Sequence, residues 1–340
     1  MQLLASIDVG SNTIRLLISG TEDNRIIDVF SDRKITRLGD RVDQTGRLQD
    51  KNIEVSIAAL KEFSSAISKY GVRHVKAVAT SALREASNSD IFIKKVFDAT
   101  GISVEVISGR KEAELTLKGI LNAFPAAEHI TSPSIVPPLS RVRTDGVPTR
   151  SMFIIDIGGG STEWILYRDH DHIDMGSIPV GVIKLARKFL KTDPVSETDM
   201  NEMNSEIISF LRDIKTMIGN RLNRYTQLIG TAGTFTTIAS IDLGLDSYSR
   251  EKIHLHVIPL TRLLEMSREL LDLSLEERKK IRGLEPERAD LIIPGIQFTI
   301  KVMELFYFDE LIISDCGLLE GVLLEIKEII EKGISEAGKP

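Results

Sequence analysis

Two stretches of this 340-residue chain are written to one pattern, and that pattern limits what the chain can fold into. Ile7-Asp8-Val9-Gly10-Ser11-Asn12-Thr13 ends one apolar strand, and Ile155-Asp156-Ile157-Gly158-Gly159-Gly160-Ser161-Thr162 ends another. Each strand finishes beside a carboxylate, turns through small residues and resumes as a second apolar strand, IRLLIS in the first copy and EWILYR in the second. A third strand follows each, residues 25–31 in one half and IDMGSIPVG in the other. The order strand, Asp, small-residue turn, strand, turn, strand is therefore used twice. It is a duplication of architecture rather than a short-period repeat. Length agrees, because a chain of this size exceeds one ordinary core and suggests two domains.

The second copy, IIDIGGGSTEW, carries chemistry. Three consecutive glycines open backbone conformations closed to other residues and bring bare N–H groups against an anion. Asp156 and Glu163, seven residues apart, are oxygen ligands of the kind that a phosphate-bound Mg2+ takes. A β-hairpin with a glycine turn satisfies the same letters, so the rest of the chain has to decide. A further small-residue stretch, TAGTFTT, follows the strand QLIG. Three such turns, at 10–13, 158–162 and 230–234, each sit directly after an apolar strand. They offer amides and hydroxyls to a chain of phosphates without large positive charge.

Between these turns the chain alternates strand and helix, which implies α/β domains with partly parallel sheets. Ile53, Ile57, Leu60, Phe63, Ile67 and Tyr70 recur at helical spacing over 52–70, and Gly71 stops that helix. Strand 74–80 enters SALREASN, strand SVEVIS follows Gly101, and a helix runs from Arg110 towards Phe124. Residues 125–150, with Pro133, Pro137, Pro138 and Pro148, are expected to be a loop or insertion without regular structure. In the second half a long helix covers about 197–222, later helices start near Thr261, at Ser274 with Glu277 as a capping box, and after Pro286. Strand 310–314 leads through Asp315-Cys316-Gly317 into a closing amphipathic helix. The domains are read as 1–124 completed by 313–340, and 151–312, with 125–150 between them.

Charge and cysteine content exclude several classes. A net charge of −6 argues against general nucleic-acid binding, which needs Lys and Arg to neutralise phosphates. A single cysteine, Cys316, permits no intrachain disulfide and fits a reducing compartment. No signal peptide and no 18-residue uncharged run are present, so the expectation is a cytoplasmic protein with no membrane partner.

The motifs IDVGSNTIRLLI, ATSALREASN, ISGRKEAEL, IIDIGGGSTEW, GTAGTFTTIA and RADLIIPG, in that order from residue 3 to about 325, resemble those of the exopolyphosphatase and guanosine pentaphosphate phosphatase family. The chain resembles the family's short form, which lacks a C-terminal HD-type domain; its one HD dipeptide, His170-Asp171, reads as a hairpin turn. The resemblance implies two duplicated RNase H-like domains of the actin, Hsp70 and sugar-kinase superfold with an interdomain cleft. It also implies hydrolysis of the terminal phosphate of inorganic polyphosphate, or alternatively of guanosine pentaphosphate, with Mg2+ or another divalent cation. A homodimer follows only from the resemblance.

Residue by residue, the resemblance puts the water-activating base on Glu112, with Glu114 a near competitor that points elsewhere on the helix. It puts the metal on Asp156 and Glu163, with Asp8 as a third ligand or water-holder. Phosphate contacts fall on Gly10, Ser11, Asn12 and Thr13, on Gly158, Gly159, Gly160, Ser161 and Thr162, on Ala232, Gly233 and Thr234, and on Arg84. For Arg84 a surface ion pair with Glu85 or Asp90 remains open, and for Glu112 a solvated helix face. Two departures stand out: Lys111 replaces one of two adjacent glutamates that the family often carries, and Leu319 stands where GLREG would have arginine. His254 and His256 are expected on a solvent-facing strand, and Cys316 as a small turn residue. The rivals from other classes are an ATP-binding sugar-kinase-like protein or ATPase switch, which demands an adenosine pocket, and an inactive phosphate-binding sensor.

Overall fold

The computed structural model describes residues 2–22, 25–124, 142–144, 147–168 and 172–337. They divide into two compact units, Met1–Phe124 with Cys316–Pro340, and Pro125–Asp315.

In the first unit, β1 (Leu3–Val9) and β2 (Thr13–Glu22) form an antiparallel hairpin, and β3 (Arg25–Ile35) pairs with β2 through a register shift at Ile18/Ser19. After a short helix α1 (Val42–Thr45), helix α2 (Asp50–Lys69) buries Ile53, Ile57, Leu60, Phe63 and Ile67, the stripe that its spacing predicts. Gly71, at φ +67°, ends the connection. Strand β4 (His74–Ala79) joins β1 in parallel and leads into α3 (Ser81–Glu85). Helix α4 (Ser89–Thr100) returns the chain to β5 (Val104–Val106), parallel to β4, and α5 (Gly109–Ala123) follows, capped by the Ser108 side chain. The sheet order is β3-β2-β1-β4-β5.

The second unit opens with a small hairpin, β6 (Val142–Thr144) and β7 (Val147–Thr149), and then repeats the plan. Strands β8 (Ser151–Ile157), β9 (Thr162–Arg168) and β10 (His172–Ile178) are antiparallel neighbours. Helices α6 (Val182–Phe189) and α7 (Glu197–Ile218) precede β11 (Gln227–Thr231), which is parallel to β8. Helices α8 (Ala232–Asp242) and α9 (Arg250–Ile253), strand β12 (Val257–Pro259), and helices α10 (Leu260–Leu271), α11 (Leu275–Arg278) and α12 (Ile292–Phe306) lead to β13 (Glu310–Ser314). The order is β10-β9-β8-β11-β13-β12. Its first five positions match the first sheet in order and in sense, with β12 added antiparallel at the edge. Both units thus share one topology, as the duplicated pattern predicts, and it is the RNase H-like one that the resemblance implies.

The last helix, α13 (Leu318–Ala337), belongs to the first unit. Alternation along β1 explains why it is needed: Ala5, Ile7 and Val9 pack with α2 and α4, while Leu4 faces the other way, into a cluster with Leu115, Leu318, Val322, Leu323 and Ile326. Helix α13 supplies half of that second layer. It crosses α5 at backbone contact, since a Cβ on Gly321 would lie 1.9 Å from the Leu115 carbonyl oxygen and one on Gly119 1.9 Å from that of Gly317. Leu319, in place of the family's arginine, is buried in this layer.

Four expectations need correction or qualification. Residues 142–144 and 147–149 are paired strands, so that part of 125–150 is regular; residues 125–141 and the His170-Asp171 dipeptide lie outside the described residues. TAGTFTT is not a turn but the start of α8, because Ala232 alone takes up the reversal at φ +69°. Helix α6 was not anticipated. His254 and His256 precede β12 instead of lying in a strand, since Leu255 between them is left-handed at φ +67°. The Ser274–Glu277 capping box is present as expected.

Replacing Gly321 by alanine should force α13 away from α5. The expected loss is roughly 3 kcal/mol of unfolding free energy, read from urea denaturation.

Candidate functional site

In the first unit, Asp8 lies directly opposite Arg15 in the β1–β2 register. Arg15 donates from Nε and Nη2 to Asp8 Oδ2 at 3.0 and 2.7 Å. Asp8 Oδ1 is buried and has no hydrogen-bond partner. One oxygen of this carboxylate is therefore committed inside the unit, and one is left to accept from something else.

The turn after Asp8 is held from behind. The Gly10 amide donates to the Thr13 carbonyl at 3.1 Å, Gly39 donates to Ser11, and Thr36 and Arg37 both donate to Asn12. A Cβ on Gly39 would come within 2.7 Å of Ser11 Cβ, which is why the backing segment approaches so closely. In a trans peptide the C=O and the following N–H point in opposite directions. With the Ser11 and Asn12 carbonyls turned towards residues 36–39, the amides of Asn12 and Thr13 are turned away from them.

Glu112 sits in the first turn of α5 and is 7% exposed. Arg84, at the end of α3, donates from Nη1 to Glu112 Oε2 at 2.7 Å and to the Ile107 carbonyl at 3.1 Å. The ion pair left open for Arg84 is thus with Glu112 itself. Glu85 instead accepts from Ser81 at 2.8 Å. Glu114 is exposed and pairs with Arg110 at 3.3 Å, so of the two glutamates only Glu112 is enclosed. Lys111 turns to Glu325 of α13.

In the second unit Asp156 and Glu163 are direct cross-strand partners, 6% and 1% exposed. Directly opposed side chains of like charge repel at Cβ separations of about 5 Å, so this rung needs compensation. Ser177, opposite Glu163 on β10, donates to its Oε1 at 2.7 Å. The glycine turn repeats the arrangement seen in the first unit. The Gly158 amide donates to the Ser161 carbonyl at 3.0 Å, while the Gly158 and Gly159 carbonyls accept from Val182 and Ile183 at the start of α6. The amides of Gly159 and Gly160 therefore point away from α6. A Cβ on Gly181 would lie 2.5 Å from the Gly159 carbonyl carbon, so a glycine is needed on the backing segment here too.

The residues expected to face phosphate accordingly divide into two groups. Gly10 and Gly158 use their amides to close the turns. Thr162 and Thr234 give their hydroxyls to the carbonyls of Val180 and Ile157, at 2.7 and 2.8 Å, and so orient the turns instead of offering those protons to a ligand. The Thr234 bond ties the start of α8 to the end of β8.

Arg288 was missed by sequence reasoning. It lies in a short 3-10 turn at Pro286–Arg288, is largely buried, and is held by Glu285 at 2.9 Å. Its guanidinium covers Gly233, where a Cβ would fall 2.6 Å from Nη1. The motif RADLIIPG contains it, but no spacing rule connects it to a glycine 55 positions earlier; only the tertiary contact does.

Among the described residues no cluster of three or more His, Cys, Asp and Glu side chains encloses a metal. The donors that are present nevertheless suit Mg2+, which keeps several waters and is held by one or two carboxylates together with substrate phosphates. Asp156 and Glu163 form such an open pair. The orphaned Asp8 Oδ1 is a further acceptor of the right chemistry in the other unit.

Comparison with known proteins agrees with the resemblance of the sequence motifs and with the two-unit α/β fold. The family model for the Ppx/GppA phosphatase family matches residues 17–131 and 142–328. The bifunctional 3-dehydroquinate synthase/phosphatase of Fusobacterium nucleatum is 33% identical over 338 residues, 95% of this chain, and the chain spans 46% of that protein's length. Exopolyphosphatase 2 of Mycobacterium tuberculosis is 29% identical over 95% of this chain and 98% of its own. A solved Ppx/GppA enzyme of Aquifex aeolicus superposes with a TM-score of 0.74 at 31% identity, covering 95% of this chain and 99% of that one. No helix among the described residues is long and apolar enough to cross a membrane.

Among the described residues, His254 carries a large shift. Burial, aided by Arg250, pulls His254 from its usual 6.5 down to about 4, and its neutral Nδ1 accepts the Asp315 amide at 3.3 Å. The unfolded chain takes up that proton near pH 6.5 and the folded chain only near 4, so falling pH favours unfolding across that window. Between pH 7.5 and 5 the wild type should lose roughly 1 kcal/mol more stability than His254→Gln, measured by urea unfolding at both pH values.

Proposed function

This chain belongs to the Ppx/GppA phosphatase family, and from that premise we propose that it is an exopolyphosphatase: it removes the terminal phosphate of inorganic polyphosphate by attack of water. The observation that carries the reading is the enclosed carboxylate Glu112, oriented by Arg84, in a chain whose small-residue turns have their carbonyls engaged from behind and their amides turned outward. Those amides suit an anion made of repeated phosphates, and they supply it with donors that a net charge of −6 does not.

In the proposed reaction Glu112 accepts a proton from water as the water oxygen bonds to the terminal phosphorus. The anhydride P–O bond breaks, and its electron pair leaves with the shortened chain. The Arg84 bond to Oε2 fixes the rotamer of the base, which favours a single direction of proton transfer. The amides of Asn12 and Thr13, and those of Gly159 and Gly160, hold phosphate oxygens. Ala232 in its left-handed conformation starts α8 so that Gly233 presents its backbone beneath the Arg288 guanidinium, a second cationic contact for phosphate. Asp156 and Glu163 would hold a divalent cation, which would supply charge neutralisation at the phosphoryl oxygens; Asp8, in the first unit, keeps Oδ1 as a further acceptor.

Membership of the Ppx/GppA family also fits hydrolysis of guanosine pentaphosphate, which shares the phosphoanhydride chemistry. Purified protein supplied with polyphosphate, guanosine pentaphosphate and ATP in parallel, with and without Mg2+, should release orthophosphate from polyphosphate fastest. Release from ATP alone would overturn the reading.

Two variants test the assignments. Glu112→Gln should lower kcat by at least about a thousandfold while polyphosphate binding stays measurable by filter retention, since general-base groups contribute on the order of 10²–10⁴. Retained turnover would move the base elsewhere. Asp156→Asn should raise the Mg2+ concentration needed for half-maximal rate by tenfold or more; an unchanged metal titration would remove Asp156 from the metal.

A further inference from the structure

We propose that Glu325 on α13 is a positioning residue for this reaction: it takes up the ammonium of Lys111, the residue next to Glu112, so that the water-activating carboxylate meets no second uncompensated cation besides its orienting Arg84. The inference rests on Glu112 being the base.

Three elements of the first unit meet at Glu325. Lys111, in the first turn of α5, reaches its Oε1 at 2.5 Å. Lys76, on β4, reaches its Oε2 at 2.7 Å and also contacts Glu105 of β5 at 2.9 Å. Each carboxylate oxygen thus meets one ammonium. The group is half-sheltered, with side-chain exposures of 17% for Glu325, 21% for Lys76 and 35% for Lys111. Burial alone would push the Glu325 carboxyl up, but the hydrogen bonds from Lys111 and Lys76 outweigh it and hold the group below the usual carboxylate range. Against its own burial, hydrogen bonds to Glu325 and Glu105 hold Lys76 above the usual lysine value. The Glu325 carboxyl is therefore held in its ionised form.

The placement matters because Lys111 shares a helix with the proposed base and Lys76 lies on the strand that leads to its partner. Strand β4 runs into α3, whose last turn carries Arg84, and the first turn of α5 carries Lys111 and Glu112. Among the described residues, the other ion pairs around this corner include Arg84 with Glu112, Arg110 with Glu114, and Lys118 with Glu328 of α13 at 2.7 Å. Lys111 is the cation nearest the base in sequence, and Glu325, its partner, comes from the far end of the chain.

The sign of the effect is set by electrostatics. Removing the Glu325 charge leaves Lys111 and Lys76 with an excess of positive charge near Glu112, which favours its ionised form and weakens it as a base. In Glu325→Gln the acid limb of the pH profile of kcat should move down by roughly half a pH unit, as expected for one partly screened charge. The kcat at the optimum should fall several-fold, with KM within twofold of wild type. Lys111→Met should move the limb upward, and the double variant Lys111→Met/Glu325→Gln should return it to the wild-type position. A merely structural role would not restore the limb in the double variant. The proposal is overturned if folded Glu325→Gln keeps the wild-type limb and kcat, or if Lys111→Met leaves the limb in place or shifts it down. Should Glu325→Gln not fold, Lys111→Met alone decides. Full turnover in Glu112→Gln would instead remove the base assignment, a separate result from either.

Discussion

The trans peptide unit, with its carbonyl and amide pointing opposite ways, is the constraint on which the rest of this structure depends. A turn that is to offer N–H groups to an anion must first satisfy the carbonyls that lie back to back with them. Both duplicated turns solve this in one manner: a following segment donates into the turn from behind, residues 36–39 in one unit and the first residues of α6 in the other. The backing segment must come within van der Waals contact of the turn backbone, and in each unit a glycine, Gly39 or Gly181, allows that approach. The third small-residue stretch has no such backing. There a single left-handed residue, Ala232, begins a helix, and the orphan amides of the helix start stand in for the turn.

A second close approach fixes the proposed base. Helix α5 begins with Glu112 and is wedged against α13 through Gly119 and Gly321, so the position of a residue near 112 depends on a helix that starts more than two hundred residues later. The first unit is thus incomplete until the chain returns from the second. That return also brings Leu319 into the apolar layer, so the departure from the family's arginine is a packing residue in this chain.

Much of this was legible in the sequence and some was not, for physical reasons. Apolar runs and the repeated Asp-turn grammar announced the duplicated sheets, because buried-strand patterning and turn chemistry are local. The stripe of α2 and the capping box at Ser274 were legible for the same reason. Helix α6 was passed over because VIKLARKF follows directly on a strand ending in Pro-Val-Gly and is only eight residues long. TAGTFTT was read as a turn because its small β-branched residues resist helix, whereas burial of Thr234, Phe235, Thr236 and Thr237 overrides that propensity. Arg288 over Gly233, and Glu325 beneath Lys111, were invisible in principle: each joins residues that only the tertiary fold brings together.

The duplication also shows how two copies of one device can diverge in charge. At the rung beside each turn the first unit pairs Asp8 with Arg15, and the second pairs Asp156 with Glu163. A carboxylate bridged by its own guanidinium has little reason to recruit a cation, since one oxygen is already committed. Two carboxylates on one rung have the opposite need, because their repulsion is relieved by a shared cation or by donors such as Ser177. The same backbone position is thus self-neutralised in one copy and electron-rich in the other. Under the proposed function this divergence divides the labour. The unit with the internal ion pair is left to supply the base and its orienting arginine, and the unit with the opposed carboxylates supplies the metal side. Asp8 then serves through its single orphaned oxygen, which suits a water-holder better than a principal ligand.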